Sequence, residues 1–239
     1  MSESRTTAAA ALIFGVGPGL GLALARCCAA AGMPVGMAAR SGEQMSEWAR
    51  QLSASGPPVR GYACDVTREQ DVEAVFGKSR AELGRVGLVV YNAGVYHPGR
   101  VTEIRPEEFE RCWRVGCFGG FLVGRTAAKT MLDQGGGTLI FTGATASLRG
   151  GAGFANLAVG KFGLRALAQS MARELGPRGV HVAHVIVDGQ IAGDDAGGGA
   201  VEDARLDPAA IADNYLALHR QQRSAWTQEL DLRPWVERF

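Results

Sequence analysis

Short apolar runs alternate with longer amphipathic stretches along the whole chain, and no other feature constrains its fold as strongly. Ala10–Phe14, Pro34–Ala39, Val59–Cys64, Val86–Tyr91, Thr138–Thr142, Val180–Val187 and Trp226–Leu232 read as strands. Most are continuous in Val, Ile, Leu and Ala, which is the pattern of strands buried on both faces. Helices are expected over Leu20–Ala31, Glu43–Leu52 with Ser41 as cap, Thr67 as cap through Leu83, Pro106 to about Asp133, Ala155–Leu175, and Asp207-Pro208 to about Gln221. Strands separated by helices require a mostly parallel sheet covered on both sides. The expectation is one α/β domain over residues 1–239, a doubly wound parallel sheet of about seven strands.

Composition removes several function classes. Apolar residues make up 46% and charged residues 21% of the 239 positions, enough for a sizeable core. The net charge of +1 and the lack of any long basic run argue against nucleic acid or an acidic membrane surface as partner. The apolar stretch Ala8–Leu24 is interrupted by Gly15, Gly17, Pro18, Gly19 and Gly21, and reads as neither a span nor a leader. Five cysteines, an odd number without any C-x-x-C pair, argue against a disulfide framework or zinc site and fit a cytoplasmic protein. His181 and His184, three apart on one strand, point to opposite faces and share no metal. Glycine is the outlier, with 34 residues, about twice the usual share of about 7%. Asp194–Asp203, glycine-rich and acidic, reads as a loop.

The most informative glycines follow the first strand: Gly15-Val16-Gly17-Pro18-Gly19-Leu20-Gly21. A strand, a glycine turn and a helix start, in that order, cradle a pyrophosphate, because glycine lets the backbone approach and the helix amides attract the anion. A tight turn alone would also use glycines here. The spacing is G-x-x-x-G-x-G, not the common G-x-G-x-x-G, but the strand–turn–helix context favours a dinucleotide site in a Rossmann-type fold. The ribose discriminator is expected at the end of the second strand. Ala39 and Arg40 stand there and no carboxylate does, so NADP(H) is favoured over NAD(H). A solvated charge at a helix start is the plainer reading of Arg40.

With these residues in place, the sequence resembles the short-chain dehydrogenase/reductase family over roughly residues 8 to 232. The resemblance rests on the glycine turn, on Asp65-Val66 after the third strand, on Asn92-Ala93-Gly94 after the fourth, and on Lys161 in KFGLRALAQSMARELG followed by Gly179-Val180-His181-Val182. The final RSAW at 223–226 and the TQELDLRP after it look like one bacterial branch of that family. The resemblance implies that Asp65 contacts adenine and that Asn92, Ala93 and Gly94 support the sheet beside the cofactor. It also implies that Lys161 binds the nicotinamide ribose and that Gly189, from the family's proline-glycine pair, borders the cofactor. It further implies a homodimer or homotetramer whose interface uses the long helix with Cys112, Trp113, Cys117 and Phe118.

The proton-transfer half of the family's site is missing. The family places a tyrosine four residues before the lysine, a serine about 13 before that, and an asparagine in the long helix. Leu157, Ala144 and Gly116 occupy these positions, Asp188 replaces the family's proline, and Gly193 stands where a threonine is expected. No tyrosine lies near enough for a shifted register, although Thr145 beside Ala144 offers a hydroxyl. Other proton sources are water, His97 after Asn92-Ala93-Gly94, and a desolvated Lys161. His97 also reads as a surface-loop residue, and Asp188 as a turn carboxylate. Two functions stay open. One is an NADP(H)-dependent oxidoreductase acting on a small, apolar carbonyl or alcohol with a divergent site. The other is a catalytically inactive dinucleotide-binding protein, a sensor or the partner subunit of an active paralogue.

Overall fold

The computed structural model of the chain describes residues 8–54, 56–193 and 203–237. The expected loop at 194–202 lies outside them. The strands are β1 (Ala10–Phe14), β2 (Val35–Ala39), β3 (Val59–Ala63), β4 (Val86–Tyr91), β5 (Gly137–Thr142), β6 (Val180–Val187) and β7 (Glu229–Leu232). They form one sheet in the order β3-β2-β1-β4-β5-β6-β7, with every pairing parallel. The chain runs outward from β1 to β3, then returns to β4 on the other side of β1. The point of reversal between β1 and β4 leaves a crevice at the carboxyl ends of the strands, where this architecture binds ligands.

Side-chain alternation on β1 splits the interior into two cores. Ala11 and Ile13 pack with α1 (Leu20–Ala30), α2 (Gly42–Ser53) and α7 (Pro208–His219). Leu12 and Phe14 point the other way, toward α3 (Glu69–Leu83), α5 (Gly119–Asp133) and α6 (Ala155–Leu175). All five residues of β1 are buried, as a continuous apolar run demands. The stack of Phe14 on Phe76, with centroids 5.6 Å apart, ties β1 to α3.

Capping follows the sequence in two places and departs from it in one. Ser41 Oγ accepts from the Gln44 amide at 3.3 Å, and Asp207 Oδ1 accepts from the Ala209 amide at 2.9 Å. Thr67 does not cap α3. Its hydroxyl and amide both donate to Asp65 Oδ1, at 2.8 and 2.9 Å, and the helix starts at Glu69 after Arg68. An aspartate two residues upstream offers a closed local turn that competes with the cap.

The long helix expected from Pro106 is interrupted. It runs as α4 (Pro106–Trp113), a wide π turn (Arg114–Phe118) and then α5. The π turn coincides with a close helix crossing, since a Cβ on Gly116 would lie 3.4 Å from Gly160 Cα on α6. It also turns the Val115 carbonyl toward Tyr91, whose hydroxyl donates to it. The last strand begins three residues later than expected. Trp226 instead stacks on His181, with centroids 4.8 Å apart, and donates from Nε1 to Gln221 O at 3.3 Å.

Candidate active site

The turns after β1 and β4 are locked together by backbone contact. Gly15 has φ +87°, and a Cβ there would lie 2.4 Å from the Ala93 nitrogen. Asn92 reinforces the lock, donating from Nδ2 to Gly15 O at 3.0 Å and from its amide to Phe14 O at 2.8 Å. Gly21 is equally confined, because a Cβ would meet Val16 Cα at 2.7 Å and the helix could not approach its turn. Gly17 and Gly19 differ, facing open space. The first pair lets the chain fold back on itself, and the second leaves bare backbone facing solvent.

These turns border a cavity of about 600 Å3 across the carboxyl ends of β1 to β4. Gly15, Val16, Gly17, Arg40, Asp65, Val66, Asn92, Ala93 and Gly94 all line it. Gly19 instead borders a neighbouring cavity of about 510 Å3, and Leu20 and Gly21 are buried at the start of α1. Arg40 and Asp65 occupy one end. Burial pushes the Asp65 carboxyl up, but the two Thr67 hydrogen bonds and the charges of Arg40 and Arg68 outweigh it and hold it below the usual carboxylate range. A groove with glycine backbone at one end and a cation beside a hydrogen-bonded carboxylate at the other has the donors and the room for a dinucleotide.

At the other end of the crevice α6 carries Lys161, buried at 6% exposure. Its Nζ donates to Thr142 O at 2.7 Å and lies close to Gly94 at the groove. Burial pulls its pKa down to about 8. Leu157, one turn earlier on the helix, lines a cavity of about 340 Å3 together with Ala144, Thr145, Phe154 and Gly189. Gly189, at φ +148°, is pressed against Pro234, where a Cβ would lie 2.8 Å from Cδ. Gly116 lies beneath, at the helix crossing. Asp188 is 3% exposed, accepts a hydrogen bond from the Thr145 hydroxyl and ion-pairs with Arg233 at 3.5 Å. Its carboxylate is therefore held from two sides at the end of β6.

His97 stands apart from this cavity. Its Nε2 lies 2.8 Å from Arg111 Nη2, and its carbonyl accepts from Asn156 Nδ2 at 2.9 Å. A guanidinium only donates, so Nε2 is the acceptor in this contact. Gly193 borders the 510 Å3 cavity.

The sequence model of the family described as "short chain dehydrogenase" matches residues 9–192. The chain belongs to this family. Among curated relatives, the 3-oxoacyl-(acyl-carrier-protein) reductase FabG of Escherichia coli K12 is 31% identical over 181 residues, 76% of this chain and 72% of that protein. Among solved structures, a short-chain dehydrogenase from Rhodopseudomonas palustris is 37% identical, with a TM-score of 0.84 over 95% of this chain and 99% of the other. A metagenomic short-chain oxidoreductase, solved in complex with NADP, is 26% identical, with a TM-score of 0.81 over 96% and 99%.

In this member of the short-chain dehydrogenase family one part-buried network escaped the sequence reading. His184 Nδ1 lies 3.0 Å from Glu229 Oε2, and Arg165 holds Glu229 with two bonds of 2.7 and 2.6 Å. Burial pulls the His184 pKa down to about 4. Its ring packs against Gly143, where a Cβ would lie 2.4 Å from Nε2, just below Ala144 and Thr145. The two histidines do have separate surroundings, as their spacing implies, since His181 meets Trp226 and Thr227. Nothing in the spacing announces Glu229 as the partner of His184. Arg149 and Phe154, which line the Leu157 cavity, carried no sequence signal either. Among the described residues no helix is long and apolar enough to cross a membrane and no side-chain cluster would hold a metal.

Proposed function

We propose that this short-chain dehydrogenase is an NADP(H)-dependent oxidoreductase with a divergent site, acting as one domain on an apolar carbonyl or alcohol. The observation that carries the reading is the groove itself. Its phosphate end is glycine backbone locked through Gly15 and Asn92, and its ribose end presents Arg40 with no carboxylate at the tip of β2. The solved relative that holds NADP supports the same cofactor. When bound, NADP(H) supplies or accepts the hydride. Gly15, Gly17, Gly19, Leu20 and Gly21 hold the diphosphate, and Gly189 closes the nicotinamide side. Asp65 and Val66 flank the adenine, Arg40 faces the 2′-phosphate, and Asn92, Ala93 and Gly94 form the floor.

Lys161 binds the ribose hydroxyls. With a pKa near 8 it is divided between ammonium and amine at mildly alkaline pH, so it is also the better-placed proton source. His97 is the weaker source, because Arg111 occupies its Nε2. Leu157, Ala144 and Gly116 supply no proton, and this observation favours a second reading: a dinucleotide-binding protein that turns nothing over.

A homodimer or homotetramer is built on the face where Phe109, Trp113, Phe121, Val159 and Phe162 are each at least 37% exposed. Five cysteines, all unpaired, fit a reducing cytoplasm. Titration of the protein with NADPH and with NADH, followed by nicotinamide fluorescence, tests the cofactor reading. Tight NADPH and weak NADH binding is expected, and failure of both overturns it. Turnover on a carbonyl panel with NADPH then separates enzyme from binding protein.

A further inference from the structure

The cavity beside Leu157 has a chemistry that the cofactor groove does not dictate. Among the described residues Arg149 is the one charged side chain in its lining, and no acidic side chain lines it. Among the described residues the Arg149 guanidinium has no hydrogen-bond or ion-pair partner, unlike Arg165 or Arg233. The same short turn carries Thr145, whose carbonyl accepts from the Arg149 amide at 3.2 Å, so the two side chains sit on one rigid piece of backbone.

Thr145 has a fixed polarity. Its single hydroxyl hydrogen is given to Asp188, which is buried and ion-paired with Arg233. The threonine oxygen can therefore only accept from a ligand. A carbonyl ligand would have to take that hydrogen and leave a buried carboxylate short of a donor, which is costly. A ligand hydroxyl costs nothing of the kind. The remaining wall is apolar, with Ala146, Leu157, Val187 and Phe154, the last stacked on Tyr96 with centroids 5.0 Å apart.

We propose that this cavity is a binding site for an apolar hydroxy-carboxylic acid: Arg149 holds the carboxylate and Thr145 accepts from the hydroxyl. One unpaired guanidinium matches a planar monoanion, which it can hold with two bonds. The proposal rests on the oxidoreductase reading only in making this hydroxyl the reacting group; the binding stands without it.

The test is calorimetry on the full chain, with and without saturating NADP+. The probes are 3-phenyllactate and 2-hydroxyoctanoate, each beside its deoxy acid and its methyl ester. Each hydroxy acid is expected to bind about tenfold tighter than its deoxy analogue. It is expected to bind about threefold to tenfold tighter than its ester, a margin that shrinks with salt. Arg149→Gln, an exposed change, removes the preference for acid over ester and leaves the preference for hydroxyl. Thr145→Val removes the preference for hydroxyl, and Thr145→Ser keeps it. Equal binding of acid and ester by the wild type overturns the proposal, as does an Arg149→Gln protein that still prefers the acid. So does the failure of every probe to bind. In that last case NADPH binding by the same sample shows that the cofactor reading survives, and its absence shows that both fall.

Discussion

The two ends of the crevice are built by different means. At the β1–β4 end the contacts are backbone to backbone. Gly15 has no room for even a methyl group against Ala93, nor Gly21 against Val16. At the β5–α6 end the residues that decide the chemistry are side chains around a cavity of about 340 Å3, and Leu157 and Ala144 there are only partly buried. A side chain that borders open space can be exchanged with little effect on the fold. A glycine wedged between two turns cannot. By this contrast the residues at the β5–α6 end are freer to vary than the glycines at the β1–β4 end.

The sharpest test of that contrast is to refill the second end. Leu157→Tyr with Ala144→Ser restores a positioned acid and its hydroxyl partner. A gain of about 10²–10⁴-fold in NADPH-dependent carbonyl reduction is expected, or about 3–5 kcal/mol of barrier. The rate is measured on a carbonyl panel, and no gain would mean that the native cavity is not short of a proton donor.

The matching change at the first end is Gly15→Val, which meets both a positive φ and the Ala93 backbone. It should lower stability by more than about 3 kcal/mol in urea unfolding and abolish NADPH binding. Leu157→Tyr alone should cost under about 1 kcal/mol, and similar costs for the two would remove the contrast.

Lys161 belongs to both ends. Its pKa is about 8 in the folded protein and 10.5 as its ordinary value, so the folded state binds fewer protons between those pH values. Wild-type stability therefore rises as pH climbs from 8 to 10.5, and the cost of burying the charge is fully present below pH 8. Lys161→Met should be more stable than wild type by about 2 kcal/mol at pH 7, with the gain fading by pH 10.5, and should bind NADPH more weakly. Unfolding curves across that range decide it, and a Lys161→Met protein destabilised at pH 7 would show that the hydrogen bond to Thr142 outweighs the buried charge.

The smallest expected effect is at the ribose end. Arg40 is exposed, so Arg40→Ala should weaken NADPH binding by about fivefold to tenfold, close to 1 kcal/mol, and leave NADH binding unchanged. Equal losses for both cofactors would remove Arg40 as the discriminator.

Much of this was legible in the chain itself. Seven apolar runs mark the seven strands, and α6 runs from Ala155 to Leu175 as its pattern suggests. Some boundaries shift where side chains compete with the backbone, as Thr67 does by bonding Asp65 in place of the helix. The π turn at Arg114–Phe118 was not legible, because it answers to Gly160 and Tyr91, both distant in sequence. The same holds for the pairing of His184 with Glu229 across 45 residues.

What the sequence by itself determined is the set of locally encoded features: the parallel sheet, the glycine turn after its first strand, the lysine in α6 and the identities of Leu157, Ala144 and Gly116 around it. These follow from periodicity, turn chemistry and residue identity within a few positions. Only the tertiary structure decided that Gly15 meets Ala93, that Thr145 gives its hydrogen to Asp188, that Arg111 occupies His97, and that Arg149 is the lone charge that the described residues bring to an apolar cavity. Each of these depends on which strand lies beside which, and that order is set by burying two faces of one sheet at once rather than by any short stretch of chain.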